Sequence, residues 1–303
     1  MKTISELYDA IASMPPRTVA VAQPADSEVM SSIKQAYEMG LARFILVGDP
    51  EKIRKTAEGI GLSLVDFVIE EALTEQEIAE AAVRAVHEGR ADAVMKGLIK
   101  SSIFLKAVLN REFGLRKSGS IISAIAVVES DYYHKLLFLS DIAFSPIPDL
   151  ETKKAILRNV VETAHSFGID TPKVACISAS EDVNPKIPAS AEARMLREAN
   201  ERGEITGCIV EGPISVDLSV SAESAKHKGF VSPVAGDADI LLMPDITTGN
   251  GIYKTMSCLS RIRTGGVMAG ASAPIIFCSR SDTAETKRNT IAFAVYLSQN
   301  KKA

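Results

Sequence analysis

The chain comprises 303 residues, of which 46% are hydrophobic and 24% are charged, and its formal net charge is −4. This length and apolar content allow one large domain or two smaller ones, each with a buried core. The mild, dispersed charge argues against a nucleic-acid partner, and no run of about eighteen apolar residues is present that would predict a membrane-spanning helix.

Short apolar segments alternate with amphipathic segments through the first hundred residues. Asp49 followed by Pro50 predicts a helix start, because an acidic cap and a proline in the first turn favour initiation. Thr74 and Glu77 have the spacing of a capping box and predict a second helix, which extends through Val86. Strands without polar alternation, separated by helices, indicate a parallel sheet covered on both faces. The further elements predicted here are strands Thr18–Ala22, Phe44–Gly48, Val65–Ile69 and Ala93–Gly97 and helix Ser27–Met39.

The pattern changes between residues 120 and 150. Two strand-like segments, Ile121–Val128 and Leu136–Leu139, flank a polar turn and indicate an antiparallel hairpin or the crossing into a second domain. The glycine-rich segment Gly265–Gly270 is interpreted as a turn that allows close packing. Elsewhere the alternation of strands and helices continues. It predicts helix Glu151–Phe167, strands Val174–Ser178, Cys208–Val210, Ile240–Met243 and Pro274–Cys278, and helix Thr283–Ser298.

Ligands of open α/β sheets gather at the carboxyl ends of strands, so the residues that follow each predicted strand are candidates for a site. The segment Ser279–Asp282 places a hydroxyl, a guanidinium and a carboxylate at a strand-to-helix junction, which suits anion binding. Lys96 ends another strand, and Gly97 would let the backbone approach a ligand closely. The other segments at predicted strand ends are Lys100–Ser102, Ser178–Glu181, Glu211–Pro213, Pro244-Asp245 and Thr247–Asn250.

The cysteines indicate a reducing compartment. Cys176, Cys208, Cys258 and Cys278 are far apart in the sequence and form no C-x-x-C pair. The segment Met1–Leu7 carries an early acid and no apolar stretch typical of a signal peptide. We therefore expect reduced thiols in a cytoplasmic protein.

Several long motifs resemble those of the phosphate acetyl/butyryltransferase family. They are Pro244–Lys254, the glycines of Gly265–Gly270 and the segment Ser279–Lys287. Ser180–Pro188 and Val94–Leu98 resemble the butyryl branch of that family. The similarity extends over nearly the whole chain.

This resemblance implies a two-domain α/β protein that acts on coenzyme A thioesters. The implied fold has mainly parallel sheets and an active-site cleft between the two domains. We place one domain at residues 1–136 plus 281–303 and the other at residues 137–280. The implied reaction is reversible acyl transfer between coenzyme A and inorganic phosphate, most like phosphate butyryltransferase of short-chain fatty acid metabolism. Coenzyme A is a substrate there, no metal or prosthetic group takes part, and the enzyme is a homodimer or higher homo-oligomer.

The resemblance also implies roles for particular residues. The active-site Ser-Arg pair of the family's acetyltransferases matches Ser279-Arg280, and an arginine of theirs falls on Lys106. The aspartate that they use near the thiol falls on Thr286, which cannot act as a base. Glu285 is our candidate to replace it. Asp282 is the second choice, because we expect it to cap the helix that follows. The predicted catalytic residues are Ser279, Arg280 and Glu285, and the predicted residues for phosphate, coenzyme A or acyl binding are Lys96, Ser101, Ser102, Lys106, Asn250, Lys254 and Asp282.

Three alternative functions stay open at this point. One is a phosphate acetyltransferase that uses acetyl-CoA. Another is a metal-dependent NAD(P) dehydrogenase of related two-domain architecture, with Asp237, Asp239 and Asp245 as magnesium ligands. The last is a regulatory or acyl-CoA-binding relative without turnover, suggested by Thr286. The sequence shows no nucleotide-binding fingerprint, which argues against the dehydrogenase.

Overall fold

The computed structural model describes residues 1–117 and 119–299, so the last four residues of the predicted segment 281–303 lie outside it. The strands are β1 Thr18–Ala22, β2 Arg43–Gly48, β3 Val68–Glu71, β4 Ala93–Lys96, β5 Ser123–Ser130, β6 Leu137–Ser140, β7 Lys173–Ile177, β8 Ile209–Ile214, β9 Ile240–Leu242, β10 Ile262–Ala269 and β11 Ile275–Ile276. The helices are α1 Ile4–Ala12, α2 Ser27–Glu38, α3 Pro50–Gly59, α4 Glu75–His87, α5 Ser101–Val108, α6 Leu150–Ser166, α7 Pro188–Glu201, α8 Val216–Val220, α9 Ala222–Lys228, α10 Ile246–Leu259 and α11 Ala284–Gln299. No helix in this described part of the chain is long and apolar enough to cross a membrane.

The fold is α/β, as predicted, and the chain divides into two compact units. One comprises residues 4–120 and 265–303, and the other comprises residues 1–3 and 121–264. Both internal borders lie before those placed from the sequence. At the border after residue 120 the reason is that β5 pairs antiparallel with β6, with Val128 opposite Leu137, so the predicted hairpin stays within one unit.

The unit formed by residues 4–120 and 265–303 contains a mainly parallel sheet. Its strands follow the order β3-β2-β1-β4-β11, all parallel, and β10 runs antiparallel to β11 where Met268 faces Ile275. Helix α4 packs against β1, β2 and β4, while α11 packs against α1 and α2 and against β4 and β11. These apolar strands are covered by helices, which is why they lack polar alternation.

Both helix starts predicted in this unit are confirmed. The Asp49 side chain accepts hydrogen bonds from the backbone N–H groups of Glu51 and Lys52 at the start of α3. In α4, the Thr74 hydroxyl accepts from the backbone N–H of Glu77, and the Glu77 carboxylate accepts from that of Thr74. Local sequence therefore determines where these helices begin.

The interpretation of Gly265–Gly270 as a turn is wrong, because Gly265–Ala269 belongs to strand β10. Close packing at Gly265 is nevertheless present. A Cβ atom added there would lie 2.8 Å from the Phe293 ring and 2.8 Å from the backbone nitrogen of Thr290, both on α11. The glycine lets a helix approach the strand, a requirement that sequence periodicity does not show.

Three predicted strands differ from the structure in extent. The C-terminal strand contracts to β11, because Pro274 has no N–H group to contribute and the chain leaves the sheet at Phe277. Strand β3 comprises Val68–Glu71, further along the chain than predicted, and lies at an edge of the sheet. Val65, where the predicted strand began, lies outside it and is 86% exposed. Strand β8 extends through Glu211–Pro213, so these residues do not follow the strand as we expected.

In the unit formed by residues 1–3 and 121–264, the strands follow the order β5-β6-β9-β7-β8. Only the β5–β6 pair is antiparallel, and the remaining pairs are parallel. Helix α6 packs on β5, β6 and β9, and α7 packs on β7 and β8. The predicted helix Glu151–Phe167 is thus confirmed as α6, which buries Ile156, Leu157, Val160 and Val161.

An ion-pair cluster surrounds Asp237 in this unit. Its carboxylate lies 2.5 Å from Lys173 Nζ, 2.9 Å from Lys135 Nζ and 2.8 Å from His134 Nε2. Burial by itself would raise the pKa of Asp237, but the hydrogen bonds from Lys173, Lys135 and His134 outweigh it and hold the pKa well below its ordinary value. The folded protein therefore favours the ionised carboxylate more than the unfolded chain does.

This cluster predicts a loss of stability in acid. A carboxyl group whose pKa is lowered by folding contributes stability above its unfolded pKa, about 3.9, and loses it as the pH falls below that value. We expect Asp237→Asn to lower the free energy of unfolding at pH 7. Below about pH 4, where the free energy of unfolding of the wild type declines, that of the variant should decline less steeply. Urea unfolding followed by circular dichroism would measure both. Asp131→Asn, at an exposed position, is the matched control, and an equal effect there would contradict the assignment.

Candidate active site

The carboxyl ends of β4 and β11 lie side by side, and they bring two predicted site segments together. The strands are parallel neighbours, with Val94 opposite Ile275 and Met95 opposite Ile276. Lys96 therefore ends its strand next to Phe277, the residue that leads into Ser279-Arg280. Parallel strands end along one edge of a sheet, so the two segments meet there.

Lys96 is a buried cation at this edge. It is 5% exposed, its Nζ donates a long hydrogen bond of 3.4 Å to the Gly97 carbonyl, and it lies 5.5 Å from the centroid of the Phe277 ring. Burial, followed by repulsion from Arg280 and Lys287, lowers the pKa of Lys96. The side chain is thus held among other cations, at a cost that a bound anion would offset.

Gly97 packs closely against the backbone at the end of β1. A Cβ atom there would lie 2.2 Å from the Gln23 carbonyl oxygen and 2.6 Å from that of Ala22, both at the end of β1. The Gly97 and Leu98 N–H groups donate to these two carbonyls at 2.8 Å. Chain packing against β1 therefore requires the glycine, and it fixes the end of the strand that carries Lys96.

The segment Ser279–Asp282 forms a hydrogen-bonded turn. The Asp282 carboxylate accepts from the Ser279 N–H at 2.7 Å, and the Asp282 N–H donates to the Ser279 carbonyl at 3.2 Å. The Ser279 hydroxyl lies 2.9 Å from the Ser281 hydroxyl and 3.4 Å from the Ser281 nitrogen. The turn leaves Ser279 and Arg280 exposed, where both can reach a ligand.

We expected Asp282 to cap the following helix, and it does not. Thr283 has that role, since its hydroxyl accepts from the Thr286 N–H at 3.1 Å. Thr286, the residue at the family's aspartate position, also places its hydroxyl 3.2 Å from that of Thr283. Asp282 instead closes the turn that presents Ser279 and Arg280, so its contribution to the site is geometric.

Lys287 is a site residue that the sequence reasoning missed. It is 3% exposed, and its Nζ donates to the Asp282 backbone carbonyl from the first turn of α11. A lysine four residues before the buried Ile291 lies on the apolar face of a helix, and that spacing was the available signal. Lys287 adds a second buried positive charge beside Lys96.

Cys278 is close to the turn but is not suited to nucleophilic chemistry. Burial, and after it the charge of Asp282, raises the pKa of the Cys278 thiol to about 12. The nearby Lys287 and Lys96 and a hydrogen bond with Thr290 offset only part of that rise. The thiol stays protonated at neutral pH, and only a thiolate attacks efficiently.

Helix α5 presents the next group of predicted residues. Ser101 and Ser102 are exposed in its first turn, directly after β4, where the helix leaves backbone N–H groups unpaired. Lys106 is exposed in the last turn, four residues after Ser102, and these two therefore share one face of the helix. All three lie on the helix that follows Lys96.

Glu285 is exposed in the first turn of α11. Its carboxylate pairs with Arg288 at 3.4 Å. Arg288 in turn donates to Gln35 at 3.1 Å and to the Tyr8 hydroxyl at 3.2 Å. Arg288 therefore links Glu285 to Tyr8 on α1 and to Gln35 on α2.

Asn250 and Lys254 belong to the other unit, on α10. The Asn250 amide donates to the Ile142 carbonyl at 3.1 Å, and Lys254 Nζ lies 5.6 Å from the centroid of the Tyr253 ring. The helix is capped by Asp245, which accepts from the Thr248 N–H at 2.8 Å. These contacts fix the orientation of α10 within its own unit.

The three aspartates proposed as magnesium ligands have other partners. Asp245 is a helix cap, Asp237 binds Lys173 and Lys135, and Asp239 lies 2.6 Å from Lys135 Nζ. Within residues 1–117 and 119–299, no group of three or more His, Cys, Asp or Glu side chains is arranged to hold a metal. The arrangement at β4 and β11 is instead one of cations and hydroxyls, which suits a phosphate-like anion.

Comparisons with known proteins find relatives and a structural neighbour over most of the chain. The profile of the family described as phosphate acetyl/butaryl transferase matches residues 69–295. The phosphate butyryltransferase of Clostridium acetobutylicum is 43% identical over 301 residues, covering 99% of this chain and 100% of that protein. The phosphate acetyltransferase of Thermotoga maritima is 36% identical over 283 residues, covering 92% and 94%. A solved branched-chain phosphotransacylase from Enterococcus faecalis superposes with a TM-score of 0.83 at 30% identity, covering 93% and 99%.

Proposed function

The chain belongs to the phosphate acetyl/butaryl transferase family, and from that premise we propose that it catalyses butanoyl-CoA + phosphate = butanoyl phosphate + coenzyme A. A phosphate oxygen forms a bond to the thioester carbonyl carbon, the carbon–sulfur bond breaks, and coenzyme A leaves as a thiolate that takes up a proton. The protein forms no covalent bond in this scheme. It aligns two substrates and stabilises the negative charge that develops on the carbonyl oxygen.

The observation that carries this proposal is the group of cations at the ends of β4 and β11. Lys96 and Lys287 are buried, and Arg280 is exposed beside them. In the described part of the chain, none of the three has a carboxylate within ion-pair distance. Buried charges without a counter-ion are unfavourable, so a dianionic substrate would compensate them. Phosphate, with oxygens that match the guanidinium fork of Arg280, fits this requirement.

Ser279 is our candidate for stabilising the developing charge. Its backbone N–H is bonded to Asp282, and its hydroxyl lies 2.9 Å from the Ser281 hydroxyl and 3.4 Å from the Ser281 nitrogen, so backbone and side chain are both held in place. A hydroxyl that accepts a hydrogen bond keeps its own hydrogen for donation. We infer that it donates to the thioester oxygen or to the leaving sulfur.

The acyl group is tested by a panel of thioesters. The relative named a phosphate butyryltransferase has the higher identity, 43% against 36% for the acetyltransferase, which supports butanoyl-CoA. Acetyl-, propionyl-, butanoyl- and isobutanoyl-CoA should each be incubated with phosphate, and released thiol measured. A highest kcat/KM with acetyl-CoA would favour the acetyltransferase alternative, and release of no thiol from any of them would refute the acyltransferase.

We also propose that the reaction needs no metal. The steps above use only side chains of this chain, and phosphate is bound by cations of the protein. Activity with butanoyl-CoA and phosphate is therefore expected to survive exhaustive treatment with EDTA and dialysis into metal-free buffer. If turnover stops and magnesium restores it, a metal participates and the metal-dependent alternative gains support.

The reverse direction needs a group that accepts the thiol proton, and Glu285 is the proposed base. We expect Glu285→Gln to slow the reaction of butanoyl phosphate with coenzyme A at neutral pH. Part of that loss should be recovered towards the free thiol pKa of about 8.5, where solvent supplies the thiolate. The pH–rate profiles of wild type and variant measure this. Profiles of the same shape would show that the proton leaves by another route.

Cytoplasmic location and a homodimer complete the proposal. The four cysteines form no disulfide in the structure, which supports a reducing compartment. Participation in short-chain fatty acid metabolism and homodimer formation are implied by the family resemblance. Light scattering of the purified protein tests the dimer.

Asn250→Ala and Lys254→Met, assayed for KM of both substrates, test the predicted contribution of α10 to substrate binding.

A further inference from the structure

We propose that Lys287 is a positioning residue of the phosphate site: it fixes the Ser279–Asp282 turn and places a second buried positive charge beside Lys96. The inference rests on the proposed function, since it assigns a further residue to the same reaction. Lys287 is taken to act through the turn and through Lys96, and no contact between it and a substrate is required.

Hydrogen bonds tie Lys287 to the Ser279–Asp282 turn. Lys287 Nζ donates to the Asp282 carbonyl, while the Asp282 carboxylate accepts from the Ser279 N–H at 2.7 Å. One hydrogen-bonded chain therefore runs from α11 through Asp282 to the residue that precedes Arg280. Helix α11 also packs on β4 and β11, so the turn is tied to the two strands whose ends form the site.

Lys287 carries its positive charge at an unfavourable place. A helix N-terminus disfavours a cation, and burial disfavours it further, yet Lys287 is 3% exposed in the first turn of α11. It has no carboxylate partner within the described residues that would offset these costs. A neutral donor could hold the Asp282 carbonyl equally well. The hydrogen bond to the Asp282 carbonyl therefore does not account for the positive charge of Lys287. A bound dianion would account for it.

Lys287 and Lys96 are close enough to influence each other electrostatically. The charged and titratable groups that face Lys96 are Arg280, Cys278 and Lys287. Arg280 and Lys287 act to lower the pKa of Lys96, after burial, and Cys278 acts in the opposite direction. Removing the charge of Lys287 should therefore move the titration of Lys96 to higher pH. A residue with a purely structural role would not have this effect.

The test compares Lys287→Gln, which keeps a donor but loses the charge, with Lys287→Arg, which keeps the charge. Inorganic phosphate should raise the melting temperature of the wild type, because it binds the folded state. In Lys287→Gln this rise should be lost, and the phosphate KM should increase about tenfold or more, because one positive charge near the bound anion is removed. The KM for butanoyl-CoA should stay unchanged. The alkaline limb of the pH profile of kcat/KM for phosphate should move to higher pH. Lys287→Arg should restore part of each loss.

Lys153→Met is the matched control for removal of a buried lysine. Lys153 is 5% exposed and pairs with Glu192 in the other unit. This variant should be less stable but should keep the phosphate KM and the phosphate-dependent rise in melting temperature.

Two outcomes would overturn the inference. One is a wild-type phosphate KM and phosphate-dependent melting temperature in Lys287→Gln. The other is an equal loss of both in Lys153→Met. If the wild type released no thiol with any acyl-CoA but still showed a rise with phosphate that depends on the Lys287 charge, the proposed function would fail and the positioning role would stand.

Discussion

Replacing Lys96 by methionine should reduce kcat/KM for phosphate by roughly 30- to 1000-fold, corresponding to about 2 to 4 kcal/mol of lost interaction. Lys96 is buried beside Phe277, and its charge lies where the ends of β4 and β11 meet. A low-dielectric surrounding strengthens its attraction for an anionic substrate. Steady-state kinetics with varied phosphate and saturating butanoyl-CoA measure the effect.

The stability of Lys96→Met distinguishes this loss from misfolding. Burial, then repulsion by Arg280 and Lys287, makes the pKa of Lys96 lower in the folded protein than in the unfolded chain, so the charged ammonium destabilises the folded state. Methionine has a similar length and no charge, and we expect an unfolding free energy without phosphate equal to or above that of the wild type. A variant that is stable and fully active at limiting phosphate would remove Lys96 from the site.

Arg280→Lys should raise the apparent phosphate KM and lower kcat, with a total loss of about 2 kcal/mol or more, roughly 30-fold. Lysine keeps the charge, but a single ammonium cannot form the two parallel hydrogen bonds with which guanidinium binds phosphate. Arg280 is exposed on the turn closed by Asp282, so the substitution should leave stability unchanged. The measurement is the phosphate dependence of thiol release.

Arg54→Lys is the matched control, since Arg54 is exposed on α3. It should behave as the wild type in both kinetics and stability. Wild-type phosphate KM in Arg280→Lys would show that charge alone suffices at this position. Equal losses in both variants would indicate a general effect of arginine removal.

The candidate site was only partly predictable from the sequence. Lys96 and Ser279-Arg280 were identified because each follows an apolar strand, and the structure places those strands side by side. Lys287 was missed because a lysine in a helix is more often solvated than buried, and only packing shows which it is. Asp282 was assigned as a cap because Asp is favoured there, whereas the hydroxyl of Thr283 has that role.

By itself the sequence determined the elements governed by short-range chemistry. The caps at Asp49 and Thr74, the buried strands without polar alternation and the hairpin before residue 140 follow from neighbours a few positions apart. The family motifs also determined the class of reaction.

Only the tertiary structure decided what depends on contacts distant in the chain. Strand β10 was not predicted because its glycines are typical of a turn. The close approach of α11 requires the glycine at position 265, and this contact is visible only in the structure. Gly97 is needed by the end of β1, more than seventy positions earlier. The convergence of Lys96, Arg280 and Lys287 depends on the pairing of β4 with β11, and no local pattern encodes which strands become neighbours.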